Sequence, residues 1–228
     1  MSQSRVLLVI GSAKQSRSTS EALGTYLLDR LSERGFDAET LFLHRSLQRD
    51  YRVQAMLAAS DRADILVLAS PLYVDSLPYL ATRALELIAL HRNTRVKGKR
   101  QRLLAIVNCG FPEAQHTETA IAICRRFARE AGFEWAAGLG LGGGEAINGR
   151  RLRKRSGMVR NVVRSLDVTA TALADGQAVP EEAARLMARP LMPTWLYTLA
   201  GSVRWRRQAR AHGARQKLSD RPYEHTEG

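Results

Sequence analysis

Gly11, Ser12, Lys14, Arg17, Ser18, Thr19 and Ser20 bring four hydroxyls and two cations into one short stretch of chain. Five apolar residues, Val6 to Ile10, run straight into it, and Ala22, Leu23, Tyr26, Leu27 and Leu31 follow at helical spacing. A strand–loop–helix of this composition suits an anion, because a helix start carries unpaired N–H groups and the positive end of the macrodipole. The loop matches neither GxxxxGK[ST] nor GxGxxG, so the nucleoside triphosphate and dinucleotide fingerprints are absent. Hydroxyls in place of glycines favour the dianion of a phosphate monoester. A ligand-free reading also stands. Ser18 and Glu21 are spaced as a capping box, which satisfies a helix start by itself.

Two further loops carry complementary groups. Ser70-Pro71-Leu72-Tyr73-Val74-Asp75-Ser76-Leu77-Pro78 sets an aromatic ring and backbone groups between prolines, and Asn108-Cys109-Gly110-Phe111-Pro112-Glu113 holds a glycine that permits close approach. Asp75 either faces a ligand here or caps the helix expected near Pro78. The elements that must position these loops alternate along the chain. Strands are predicted at residues 5–10, 38–43, 65–69, 103–108 and 134–139, with helices over 19–34, 47–63, 78–91 and 117–131. Gly35 and Gly132 stand where helix C-terminal glycines belong. Five strands joined by helices predict a doubly wound parallel sheet, which binds ligands outside the carboxyl ends of its strands. In the order 2-1-3-4-5, the ends of the first, third and fourth strands are neighbours, so the three loops share one crevice.

At this point the motifs resemble a family. Gly11-Ser12-x-Lys14-x-x-x-Ser18-Thr19 is similar to the GSPRxxGNT-type phosphate loop of the NAD(P)H-dependent FMN reductases, in the flavodoxin-like superfamily, with Lys14 where Arg is usual. Ser70-Pro71-Leu72-Tyr73-x-x-Ser76-Leu77-Pro78 resembles their PxYxxSxP loop, with Asp75 where many members have glycine. The resemblance covers roughly residues 5–142 and implies a flavodoxin-like α/β fold. It implies FMN, its phosphate held by Ser12, Lys14, Ser18, Thr19 and Ser20. The ring would lie against Pro71, Leu72, Tyr73 and Val74, with Asn108, Cys109 and Gly110 closing the other edge. It also implies NADPH or NADH as reductant, a quinone, free flavin or other small acceptor, and a homodimer or larger assembly. The competing expectation is a flavodoxin-like module that has lost flavin and serves as an interaction domain.

Composition bounds the remaining classes. The chain has 228 residues, a hydrophobic content of 45% and two cysteines that form no CxxC pair, as expected of a reduced, cytoplasmic globular protein. The N-terminus leaves no room for a signal peptide, and no apolar run is long enough to span a bilayer. Five histidines without metal spacing give no metal site.

The net charge of +13 is uneven: residues 1–149 hold 19 Lys or Arg against 15 acids, whereas residues 150–228 hold 16 against 7. A flavodoxin-like domain is expected over residues 1–175, ending in a core helix from about 157 to 173. A helical basic extension is expected over 176–228, with a short helix from Pro180 through Met187. Gly142-Gly143-Gly144 reads as a flexible or ligand-approaching loop before the basic run 150–155. In residues 190–217, Trp195, Leu196, Tyr197 and Leu199 precede a cluster of arginines, a pattern suited either to covering the last helix or a partner subunit with the arginines in water, or to an anionic membrane surface, and lacking any nucleic-acid motif.

Overall fold

The computed structural model describes residues 3–14, 17–93, 100–152 and 157–220. Five strands, β1 (Arg5–Ile10), β2 (Asp37–Phe42), β3 (Ile65–Pro71), β4 (Arg102–Asn108) and β5 (Glu134–Leu141), form one all-parallel sheet in the order β2-β1-β3-β4-β5. This is the flavodoxin-like doubly wound arrangement expected from the alternation of the chain.

The period of two along each strand sends alternate residues to opposite faces. Leu8, Ile10, Val67 and Ile106 join one core with α1 (Thr19–Ser32), α6 (Arg160–Ala174) and α7 (Glu181–Met187). Leu7, Val9, Leu66, Leu68 and Leu103 join the other with α3 (Asp50–Arg62), α4 (Tyr79–Asn93) and α5 (Glu118–Glu130). Burial on both faces explains why the inner strands read as unbroken apolar runs. Each large aliphatic side chain so buried contributes about 1.5–3 kcal/mol.

The strand ends form a step. Ile10, the last residue of β1, pairs with Ala69, whereas β3 continues to Pro71, which pairs with Asn108, itself paired with Leu141. The loop after β1 therefore leaves the sheet two residues, or about 7 Å, before the loops after β3 and β4. This creates a recess at the sheet edge.

The helix expected over 47–63 is present as α3 but starts at Asp50, three residues later than expected, and a separate short turn precedes it. A four-residue turn, α2 (Leu43–Ser46), closes with Ser46 Oγ donating to Phe42 O, and α3 begins afresh after the extended Arg49. Gly35 and Gly132 adopt φ of +88° and +73°, as helix-terminating glycines do. The compact α/β unit runs to Leu191 and includes α7, whose Ala183 O accepts from the buried Ser165 Oγ of α6 at 2.6 Å.

The second unit begins at Met192 and contains α8 (Thr194–Ala211), an 18-residue helix with no buried residue. Leu196, Leu199 and Val203 recur along it at spacings of three and four, and Arg207 and Arg210 continue the same row.

Candidate functional site

The recess is built by close backbone approach. Gly11 N donates to Ala69 O at 2.8 Å. A Cβ on Gly11 would stand 2.7 Å from Ser70 Oγ, so a side chain there would force the first two loops apart. Ser12 is buried and its Oγ accepts from Lys14 N at 3.2 Å, while the Lys14 side chain is exposed. The capping box is formed: Ser18 Oγ accepts from Glu21 N at 3.0 Å, and the Glu21 carboxylate accepts from Ser18 N at 3.3 Å.

Capping and phosphate binding are compatible here. The capping box uses the N–H groups of Ser18 and Glu21, leaving those of Thr19 and Ser20 without intrahelical partners. In their bonds Ser12 Oγ and Ser18 Oγ act as acceptors, so both hydroxyl protons remain for donation. With Lys14 and Arg17 beside them, these donors fit a phosphate dianion. The Thr19 and Ser20 hydroxyls have another use. Thr19 Oγ1 donates to Gly144 O and buried Ser20 Oγ donates to Asn108 Oδ1, each at 2.8 Å. They tether the first loop to the loops after β5 and β4, so these two residues offer backbone donors.

In the second loop, Leu72 N donates to Asn108 O at 2.8 Å, joining Pro71 and Leu72 to the end of β4. Tyr73 and Ser76 exchange backbone bonds of 2.9 and 3.1 Å around a two-residue turn, with Val74 and Asp75 at φ of +48° and +57°. Positive φ at both central residues is the hairpin geometry that twists with the strands. Aspartate tolerates it, but for a β-branched valine it costs about 1–3 kcal/mol. The turn displays Tyr73 and Val74, which are 49% and 97% exposed. Among the described residues Asp75 has no hydrogen bond to the start of α4, so it does not cap that helix.

Of the third loop's residues, Asn108 and Cys109 are buried and Gly110 is exposed, with open space where a Cβ would stand. The Cys109 thiol donates to Phe111 O at 3.4 Å and Glu113 O at 3.6 Å. Burial pushes its pKa up, which favours the thiol over the thiolate.

Phe111, which sequence reasoning passed over, is exposed beside His116 with ring centroids 4.6 Å apart. Its place in the loop after the fourth strand, two residues past Cys109, was the available signal. The glycine run after β5 is not loosely held. A Cβ on Gly142 would meet Pro112 O at 2.2 Å, and Gly144 N donates to Cys109 O at 2.9 Å. These glycines allow backbone to pack on backbone. Arg153, Lys154 and Arg155 of the basic run lie outside the described residues. Among the described residues no cluster of three metal-ligating side chains occurs.

The family model for NADPH-dependent FMN reductase matches residues 4–128, from β1 to the last turn of α5, and includes all three loops. The chain belongs to that family. Its members are flavin oxidoreductases that use FMN with NAD(P)H. No curated protein sequence matches.

Among solved structures, the chain resembles the apo form of an NADH:FMN oxidoreductase, with 15% identity, a TM-score of 0.60, and coverage of 84% of this chain and 97% of that one. It also resembles the NAD(P)H:quinone oxidoreductase of Methanothermobacter marburgensis (17% identity, TM-score 0.51, 73% of this chain and 98% of that one). The third is an FMN-dependent NADH-azoreductase of Bacillus anthracis in complex with FMN (13%, 0.53, 76% and 100%). The match to the rubredoxin oxygen:oxidoreductase of Desulfovibrio gigas covers 81% of this chain but 37% of that one, at 11% identity and a TM-score of 0.53. At these identities the structural likenesses show the shared fold. The site expectations rest on the loops of this FMN reductase family member.

Proposed function

We propose that the protein is an NAD(P)H-dependent FMN oxidoreductase acting on small electron acceptors such as quinones or free flavin. The observation that carries the reading is the recess at the sheet edge, where hydroxyl and N–H donors left over after capping stand beside Lys14 and Arg17. Ser12, Lys14, Ser18 and the N–H groups of Thr19 and Ser20 hold the FMN phosphate. Pro71, Leu72, Tyr73 and Val74 support one side of the ring, and the Asn108–Cys109–Gly110 backbone flanks its edge.

FMN held by these loops would supply hydride chemistry between a reduced nicotinamide and the acceptor. The chain's own part is positional. The N–H groups of Val74 and Asp75 at the tip of the 73–76 turn offer donors for negative charge near the ring. Exposed Tyr73, Val74 and Phe111 offer apolar area against which flat substrates can stack. Purified protein incubated with FMN and desalted should be yellow, and anaerobic NADPH should bleach it. A preparation that fails to retain FMN contradicts the enzyme and favours the interaction module.

The same reading takes the protein as cytoplasmic, in keeping with two free buried cysteines, and as a homodimer or larger. Light scattering that returns a mass near 25.3 kDa contradicts the assembly.

The tail supports a second reading, that residues 190–217 rest on an anionic membrane surface. No helix among the described residues is long and apolar enough to cross a membrane. However, Trp195 and Trp205 are 68% and 72% exposed, and residues 183–219 hold eight Lys or Arg and no carboxylate. Co-sedimentation with anionic vesicles at low salt, lost on truncation after Arg189, is the expected result. Equal recovery of both proteins in the supernatant contradicts it.

A further inference from the structure

The outer face of α4 carries a stripe that is complementary to its own reverse. Tyr79, Arg83, Glu86 and Leu90 are exposed and recur at intervals of four, three and four, which sets them in one row along the helix. Ala81, Ala84, Leu85 and Ile88 take the opposite side and pack into the core beneath. The row ends in two large apolar groups, Tyr79 and Leu90, which are 75% and 67% exposed. An ion pair fills its middle, with Arg83 Nη1 standing 3.3 Å from Glu86 Oε2. The other charged groups at the end of the helix are taken up within the chain: His91 lies 2.9 Å from Asp61, and Arg92 donates to Ala131 O at 2.7 Å.

The four residues are symmetric about the Ala84–Leu85 bond, apolar at both ends and opposite in charge at the two inner places. A second α4 laid antiparallel over the first therefore brings Tyr79 against the partner's Leu90 and Arg83 against the partner's Glu86. Twofold symmetry makes each contact occur twice. Intervals of three and four are those of a helix–helix seam. Laid parallel, the same stripe would set Arg83 against the partner's Arg83 and Glu86 against the partner's Glu86. Other occupants fit less well. The stripe is neutral in sum, unlike residues 183–219, so it offers no field to an anionic surface or a strongly charged partner.

We propose that the outer face of α4 seats a second, antiparallel copy of this chain, Arg83 pairing with the partner's Glu86 and Tyr79 with the partner's Leu90. This rests on the proposed assembly and deepens it by naming the surface. The seam runs about 16 Å from Tyr79 to Leu90. α3 and α5 pack beside α4 and add the area that a stable dimer needs beyond one helix pair. The same register sets the partner's Asn93 opposite Ser76, the last residue of the turn that displays Tyr73 and Val74. The end of the partner's α4 thereby stands beside the second loop and walls the crevice on that side.

Sedimentation velocity of the full-length protein over a dilution series tests the seam by charge exchange. The unaltered protein should sediment as a dimer, at twice 25.3 kDa. Arg83→Glu and Glu86→Arg should each weaken the dimer about tenfold or more, since each sets like charges together across the axis. An equimolar mixture of the two variants should regain the dimer, as should the double exchange Arg83→Glu/Glu86→Arg, because opposite charges face each other again. Misfolded chains would not be restored by mixing. A dimer that neither single substitution weakens overturns the seam and leaves the assembly standing. Weakening that neither the mixture nor the exchange repairs also overturns the seam, and an unaltered protein of 25.3 kDa overturns seam and assembly together. A dimer that behaves as expected yet retains no FMN overturns the oxidoreductase alone and leaves the seam in place.

Discussion

Each of α1 to α7 buries part of its surface against the sheet or a neighbouring helix, whereas α8 buries nothing. The glycines register the same contrast. In the α/β unit, Gly11, Gly142 and Gly149 stand where a single added carbon would strike neighbouring atoms, three loops at a time being held by such approaches. In the second unit, Gly201 of α8 has nothing within 4 Å of its Cβ position. The first region is specified by packing, and its loops inherit that precision. The second is specified by helix propensity, and most of its side chains are exposed.

The largest effect is expected at Gly149. Alanine there must adopt φ near +66° and displace the Arg17 carbonyl, so Gly149→Ala should cost about 2 kcal/mol or more in urea unfolding and weaken FMN retention. Unchanged stability would mean that the two loops do not touch. Smaller and opposite in sign is the double substitution Val74→Asn/Asp75→Gly. It gives the 73–76 turn the residues its geometry favours and should raise stability by about 1 kcal/mol. A loss would show that the turn differs from the one described.

Gly201→Ala should stabilise the chain by at most about 1 kcal/mol through helix propensity alone. A destabilised protein would place α8 in a packed environment and erase the contrast between the regions. The last expected effect concerns Tyr26 and appears only at alkaline pH. Burial, with the bond to Asp167 next, pushes its pKa up from 10.0 to about 12. The folded state therefore favours the neutral phenol, and this contribution is intact below pH 10 and lost as pH rises from 10 through 12. Thermal melts across that interval should fall less steeply for Tyr26→Phe than for the unaltered protein.

The sheet was legible in the sequence because burial on both faces leaves no alternative to unbroken runs such as Val6 to Ile10 and Leu103 to Val107. The start of α3 and the short turn before it were less visible, since no capping residue marks the helix start and only the extended Arg49 sets it. In the candidate site, the residues of the first loop could be named but not the direction of their hydroxyls. Sequence places Thr19 and Ser20 beside a phosphate, whereas their acceptors, Gly144 and Asn108, lie 125 and 88 positions away. The glycines after β5 were only partly legible for a related reason. Composition marks them as flexible or ligand-approaching, whereas the close backbone contacts of Gly142 and Gly144 with the third loop require them to be small. Cys109 is similar, because its burial comes from the strand end closing over it rather than from its neighbours in sequence.

The central claim is that the recess after β1 grips a phosphate while the helix start stays capped. Equilibrium titration of the Lys14→Ala/Ser18→Ala protein with FMN and with riboflavin tests it most directly. Loss of each charge-assisted contact is worth about 1.5–3 kcal/mol, so FMN affinity should fall by a factor of ten or more while riboflavin affinity changes little. Equal weakening of both flavins, or of neither, would contradict the cradle and leave Ser18 as a helix cap alone.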